Sequence, residues 1–122
     1  MGKSIKVFRL LNDLSLGKYL QTIELDGAVD NLDFDPNGNL WIANHANTIS
    51  LVRHLLDPEK AAPSQVQRIS EIGSTKQSIT TIYENDGSEF SASSVGLRYK
   101  DMILVGSITE PRLLVCNFSA IQ

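Results

Sequence analysis

The sequence predicts an all-β protein whose antiparallel strands form four-stranded sheets arranged as blades. Three observations predict it. Apolar runs bounded by Gly, Pro, Asn and Asp recur at spacings of about 8–12 residues, the interval typical of all-β folds. No segment sustains a helical period of about 3.6 over ten or so positions. One hairpin pattern also occurs twice: Asn31-Leu32-Asp33-Phe34 with Leu40-Trp41-Ile42-Ala43, and Ser94-Val95-Gly96-Leu97 with Met102-Ile103-Leu104-Val105-Gly106. Such an internal echo marks repeated sheets that pack radially.

Taken in order, Ile5–Leu10 alternates apolar and basic residues and reads as a strand. Asn12-Asp13 and Ser15-Leu16-Gly17-Lys18 carry turn chemistry. Tyr19–Leu25 follows as a strand and Asp26-Gly27 ends it. Val29–Phe34 and Leu40–Asn44 flank Asp35-Pro36-Asn37-Gly38, a tight turn, and so form a hairpin. The β-branched run Ile49–Leu55 predicts a further strand. A Pro-bounded loop, Asp57–Ser64, comes next, with room for a helical turn in its middle. Val66–Ile72 and Ile79–Glu84 are strands, the second closed by Asn85-Asp86-Gly87-Ser88. Val95–Tyr99 and Met102–Ile108 make a hairpin around Lys100-Asp101, and Arg112–Phe118 is the last strand after Glu110-Pro111.

At 122 residues the chain has the length of one domain, with 42% hydrophobic and 20% charged residues, both globular values. A net charge of −3, with no basic run, speaks against a nucleic-acid partner. No apolar stretch is long enough to span a membrane, and the first residues alternate rather than form a signal core. The expectation is a cytoplasmic protein with no membrane partner. The single cysteine, Cys116, has no internal disulfide partner and reads as a small buried apolar residue.

Few residues suggest chemistry on their own. Asp30-Asn31 opens a strand, where it either caps local backbone amides or contributes oxygens to a metal. Adjacent strand residues point to opposite faces, so joint binding of one ion requires a bend there. His45 closes the paired strand beside Asn44, as a structural histidine or as the wall of a pocket. Asp33-x-Asp35-x-Asn37-Gly38 imitates the first half of a calcium-binding helix–loop–helix, but position twelve is Asn44 and the expected glutamate is absent. Ser91, Ser93 and Ser94 lack the glycine-flanked elbow of serine hydrolases. His54 has neither the spacing nor the cysteines of a zinc site. Trp41 reads as packed core.

Together these segments resemble the paraoxonase/arylesterase family. Its anchors, in order, are Val29-Asp30-Asn31 with Asp35-Pro36 and Asn39-Leu40-Trp41, then His45, then Ser64-Gln65-Val66-Gln67-Arg68-Ile69. Thr81-Ile82-Tyr83-Glu84-Asn85-Asp86-Gly87, Ser93-Ser94-Val95 and Ile103-Leu104-Val105-Gly106 complete the series. The matching part is the family's C-terminal region. The resemblance implies calcium-dependent hydrolysis of aryl esters or lactones in a six-bladed β-propeller.

By that resemblance the whole chain, 1–122, is one partial propeller domain of about two blades. Residues 5–25 would be the outer strands of one blade, 29–84 a full blade, and 93–118 a last, incomplete one. Asp30 and Asn31 would be calcium (Ca2+) ligands and His45 the catalytic pocket residue. The family's other calcium ligands and its proposed histidine dyad have no counterpart here. Likewise, the cysteine to which a late cysteine is bonded in animal members has no match. The implied partners are therefore further copies of the chain, with three copies giving six blades, or a complementary chain, and the ligand is a small ester or lactone. The competing expectation is a non-catalytic propeller module that oligomerises or completes a partner.

Overall fold

A computed structural model describes residues 2–118. The architecture is all-β with one helix: β1 (Ser4–Leu10), β2 (Leu16–Glu24), β3 (Ala28–Phe34), β4 (Leu40–His45), α1 (Thr48–Leu56), β5 (Ser64–Ser70), β6 (Ser78–Asn85), β7 (Ser93–Tyr99), β8 (Met102–Ser107) and β9 (Leu114–Asn117). The strands form a two-stranded sheet β1-β2, a four-stranded sheet β3-β4-β5-β6 and a three-stranded sheet β7-β8-β9. All pairings are antiparallel between consecutive strands.

The four-stranded sheet lies between the other two, and β4 shows why. All six of its residues are buried. The strand pleat sends Trp41, Ala43 and His45 to one face and Leu40, Ile42 and Asn44 to the other. Trp41 packs with Val66, Ile82, Phe90, Ile103, Val105 and Phe118 in a core shared with β8. Leu40 and Ile42 pack with Ile69 against Ile5, Ile23 and Leu25 of the two-stranded sheet. The first core leaves little room between sheets: a methyl added at Gly96 of β7 would come within 2.6 Å of Val66 of β5. On the other side Gln21 and Gln77 exchange reciprocal amide hydrogen bonds of 2.9 and 3.3 Å.

Three local expectations change. The strand predicted over Ile49–Leu55 is the helix α1. Asn47 caps its N-terminus by accepting from the Ser50 amide at 3.0 Å, and Leu51 and His54, one turn apart, bury against the sheets. The β-branched residues Ile49 and Val52 point to solvent, where their strand preference has nothing to pack against. No helical turn forms within Asp57–Ser64. The first hairpin turns earlier than predicted: Leu14 and Ser15 close it, and Leu16–Lys18 already belong to β2. Ser15 is held by two bonds to the Asp13 carboxylate.

His54 is buried on the helix. Its Nδ1–H donates to the Lys60 carbonyl at 2.6 Å, and its Nε2 accepts from the Thr109 hydroxyl at 2.6 Å. The helix is thereby tied to the segment after β8. Cys116 is a half-buried free thiol packed beside the first core, and burial together with the nearby Glu89 carboxylate raises its pKa.

Asp35 organises the β3–β4 turn. Its carboxylate accepts from the amides of Asn37 and Asn39, from Asn39 Nδ2, and from Trp41 Nε1 at 3.0 Å. Burial pushes its pKa up, but the bonds from Trp41, Asn39 and Asn37 outweigh that and hold it below the usual carboxylate value. The ionised form is thus favoured by folding. Its contribution is complete above the unfolded carboxyl pKa and is lost as pH falls through the lower folded one. Asp35→Asn is expected to cost about 2 kcal/mol near neutral pH, the scale of hydrogen bonds to a charged group. Urea titrations at a series of pH values should show the gap between variant and parent narrowing under acid conditions.

Candidate functional site

Two elements meet at the end of the four-stranded sheet opposite the Asp35 turn. Register pairs Val29 with Asn44 and Leu32 with Ile42, so Asp30 and Asn31 together face only Ala43. This is a β-bulge, two residues against one. It supplies the bend that strand alternation otherwise forbids, and it brings the two side chains together: Asn31 Nδ2 donates to Asp30 Oδ1 at 3.0 Å. Bulges re-aim side chains next to functional sites in this way.

Each residue has a second partner. Asp30 Oδ2 lies 3.2 Å from His45 Nε2. The carboxylate accepts, so Nε2 carries a proton, and in the neutral ring Nδ1 is then the acceptor. His45 is 1% exposed, and Nδ1 has no partner among the described residues. Asn31 Nδ2 also donates to the Ser94 carbonyl at 2.8 Å, which links the four- and three-stranded sheets. All three residues singled out in the sequence, Asp30, Asn31 and His45, therefore belong to one cluster.

Behind it lies a polar ladder. Asn44 Nδ2 donates to Gln67 at 2.7 Å, Gln67 Nε2 to Thr81 at 3.2 Å, and Gln65 Nε2 to Glu84 at 3.2 Å. Asn44 is fully buried, yet among the described residues its Oδ1 has no partner, and neither has Gln65 Oε1. Sequence reasoning missed this ladder. Only Asn44, at the end of the apolar run Leu40–Ala43, gave any signal; Gln65 and Gln67 alternate within a strand that also carries Ser64, Arg68 and Ser70 and does not mark them as inward.

These groups do not amount to a calcium cage. Calcium takes six to eight oxygens. Each Asp30 oxygen already accepts one hydrogen bond, so the pair offers a few oxygen lone pairs and no more. Among the described residues no cluster of three or more His, Cys, Asp and Glu side chains could hold a metal. Asp30 and Asn31 can serve only as part of a larger ligand set.

The strength of the link between sheets is testable. Asn31→Ala removes the bonds to Asp30 and the Ser94 carbonyl at an exposed position, and is expected to lower stability by about 1 kcal/mol. A shift of several degrees in the thermal midpoint, read by circular dichroism, would report it.

A family model described as Arylesterase matches residues 1–118. The chain is 40% identical over 99 residues to serum paraoxonase/arylesterase 2 of Homo sapiens, covering 80% of this chain and 27% of that protein. It is 39% identical over 95 residues to serum paraoxonase/lactonase 3 of Oryctolagus cuniculus, covering 77% of this chain and 26% of that protein. It is also 31% identical over 99 residues to serum paraoxonase/arylesterase 1 of Rattus norvegicus, with similar coverage. The chain thus spans about a quarter of the length of the curated relatives it matches. With nearly its whole length matched by the family model, the chain belongs to the arylesterase family.

Proposed function

We propose that the chain contributes part of an ester- or lactone-hydrolysing site, which becomes complete only when further strands and ligands are supplied by other chains. One observation carries this reading. The bulge turns Asp30 and Asn31 into a single oxygen-bearing cluster and sets it against a buried histidine. The relatives' names, arylesterase and lactonase, supply the reaction class.

In this reading the three sheets are blades or parts of blades of a propeller. Three copies, or a complementary chain, bring the total to six blades. Asp30 and Asn31 would be two of the oxygen donors for calcium, the rest coming from outside these residues, and the ion would supply polarisation of an ester carbonyl.

The residues of this chain do the remaining work. Asn31 Nδ2 fixes the Asp30 carboxylate by donating to Oδ1. Asp30 accepts a hydrogen bond from His45 Nε2–H, which orients the ring and directs Nδ1 away from the carboxylate. An imidazole so oriented accepts a proton from water or a hydroxyl once Nδ1 is uncovered. Uncovering the buried Nδ1 of His45, with its hydrogen bond to Asp30 kept, is part of completing the site.

Phenyl acetate and a small lactone are the substrates for the test. Turnover should depend on protein concentration, disappear with EDTA and return with calcium. Asp30→Ala should abolish it, and His45→Gln should lower it by two or more orders of magnitude, the scale of general-base catalysis. Full activity in the Asp30→Ala protein would rule the reading out and leave the chain as a non-catalytic propeller module.

A further inference from the structure

The face of the four-stranded sheet turned toward β1-β2 is apolar at one end and polar at the other. Leu40, Ile42 and Ile69 lie in the second core. Register places Asn44 opposite Gln65 and Ile42 opposite Gln67, so Asn44, Gln65 and Gln67 share this face. Thr81 of β6 stands opposite Gln67, and Glu84 opposite Gln65, which carries the polar half to the sheet edge. His45 is on the other face of β4, so this region is distinct from the Asp30–Asn31–His45 cluster.

Two buried oxygens here lack a donor. Asn44 is 0% exposed and Gln65 7%, and among the described residues neither Asn44 Oδ1 nor Gln65 Oε1 has a partner. Turning either amide over does not help. Asn44 Nδ2 donates to Gln67 Oε1, so the turned amide would set two oxygens against each other. Gln65 Nε2 donates to Glu84 Oε2, so the turned amide would set its oxygen against a carboxylate. The region holds more acceptors than donors.

A cleft of about 190 Å3 opens onto the same ladder. Gln67 and Thr81 line it together with Leu25 and Ile79, and the exposed Glu24 and Asp26 stand at its rim. None of these six residues is basic. Among the described residues, the ion pairs involve none of Glu24, Asp26 and Glu84. No three His, Cys, Asp or Glu side chains among them could hold a metal ion, so the acceptors are spread along the cleft and do not form a cage. Carboxylates at the mouth, buried acceptors behind and two aliphatic walls suit a positive group with N–H donors and a short hydrocarbon chain.

We propose that this cleft binds a primary alkylammonium ion. Its chain lies against Leu25 and Ile79, and its N–H groups donate to the oxygens of the ladder. An ammonium group has three donors, enough for both bare amide oxygens and one more acceptor. Glu24 and Asp26 supply the opposite charge. The site shares no residue with the hydrolase reading and stands or falls without it.

Calorimetric titration of the full chain with n-butylammonium chloride tests the proposal, with n-butanol, potassium chloride and calcium chloride as comparisons. Butylammonium is expected to bind and butanol, which has the chain without the charge, is not. The double variant Glu24→Gln, Asp26→Asn alters two exposed side chains, so the fold should survive, as circular dichroism will check. It should weaken binding about tenfold, the scale of two exposed charge pairs. Nuclear magnetic resonance of the parent should show the Asn44, Gln65 and Gln67 side-chain amide signals shifting together as the ligand is added. Asn44→Leu, where it folds, should abolish binding. No binding of butylammonium, which would mean that water alone fills the cleft, overturns the proposal. Equal binding of butanol, unchanged affinity in the double variant, or amide signals that stay still overturn it too. Binding of potassium or calcium without butylammonium also overturns it and marks an inorganic cation site instead.

Discussion

Everything in this molecule depends on β4 being buried along both faces. A strand in that position has no solvent side, so every residue must suit one neighbouring sheet or the other. Parity then decides the whole arrangement: Trp41 and Ala43 serve one core, and Leu40 and Ile42 the other. A slip of one residue would exchange the two cores. Asp35 guards against it at one end by binding Trp41 Nε1 and the turn amides together. A buried indole needs an acceptor, and the acceptor here also fixes the register.

At the other end the rule is broken once. The extra residue in β3 shifts parity between Val29 and Leu32 and frees Asp30 and Asn31 from opposite faces. The cost is an interrupted ladder. The gain is a carboxylate within hydrogen-bond reach of both an amide and an imidazole. Among the described residues His45 Nδ1, Asn44 Oδ1 and Gln65 Oε1 are buried without a partner at this same end, while Arg68 Nε is the fourth such atom and lies beside Trp41. Buried polar groups without partners are rare.

The arylesterase family membership and the sheet inventory point the same way. A chain that matches about a quarter of its relatives' length holds one sheet flanked on both sides and two that are flanked once. The flanked sheet carries the Asp30–Asn31–His45 cluster. The beginning of β3 holds the cluster, and its end, Leu32 and Phe34, lines an apolar groove against β1.

The sequence by itself determined the strands with strong alternation, the Asp35 turn, the hairpins β3-β4 and β7-β8, and the identity of the cluster residues. Those features are local: turn chemistry and a period of two are written in neighbouring positions. Tertiary structure decided the rest. Ile49–Leu55 has β-branched residues, but a capping Asn47 and the burial of Leu51 and His54 make it a helix, and only packing could choose. Asp30 and Asn31 were legible as candidates, yet the bulge that unites them is a relation between two strands. The partners of His45 and Asn31, Asp30 fifteen residues before and the Ser94 carbonyl sixty-three residues on, were invisible for the same reason. A contact between distant positions leaves no periodic mark on either.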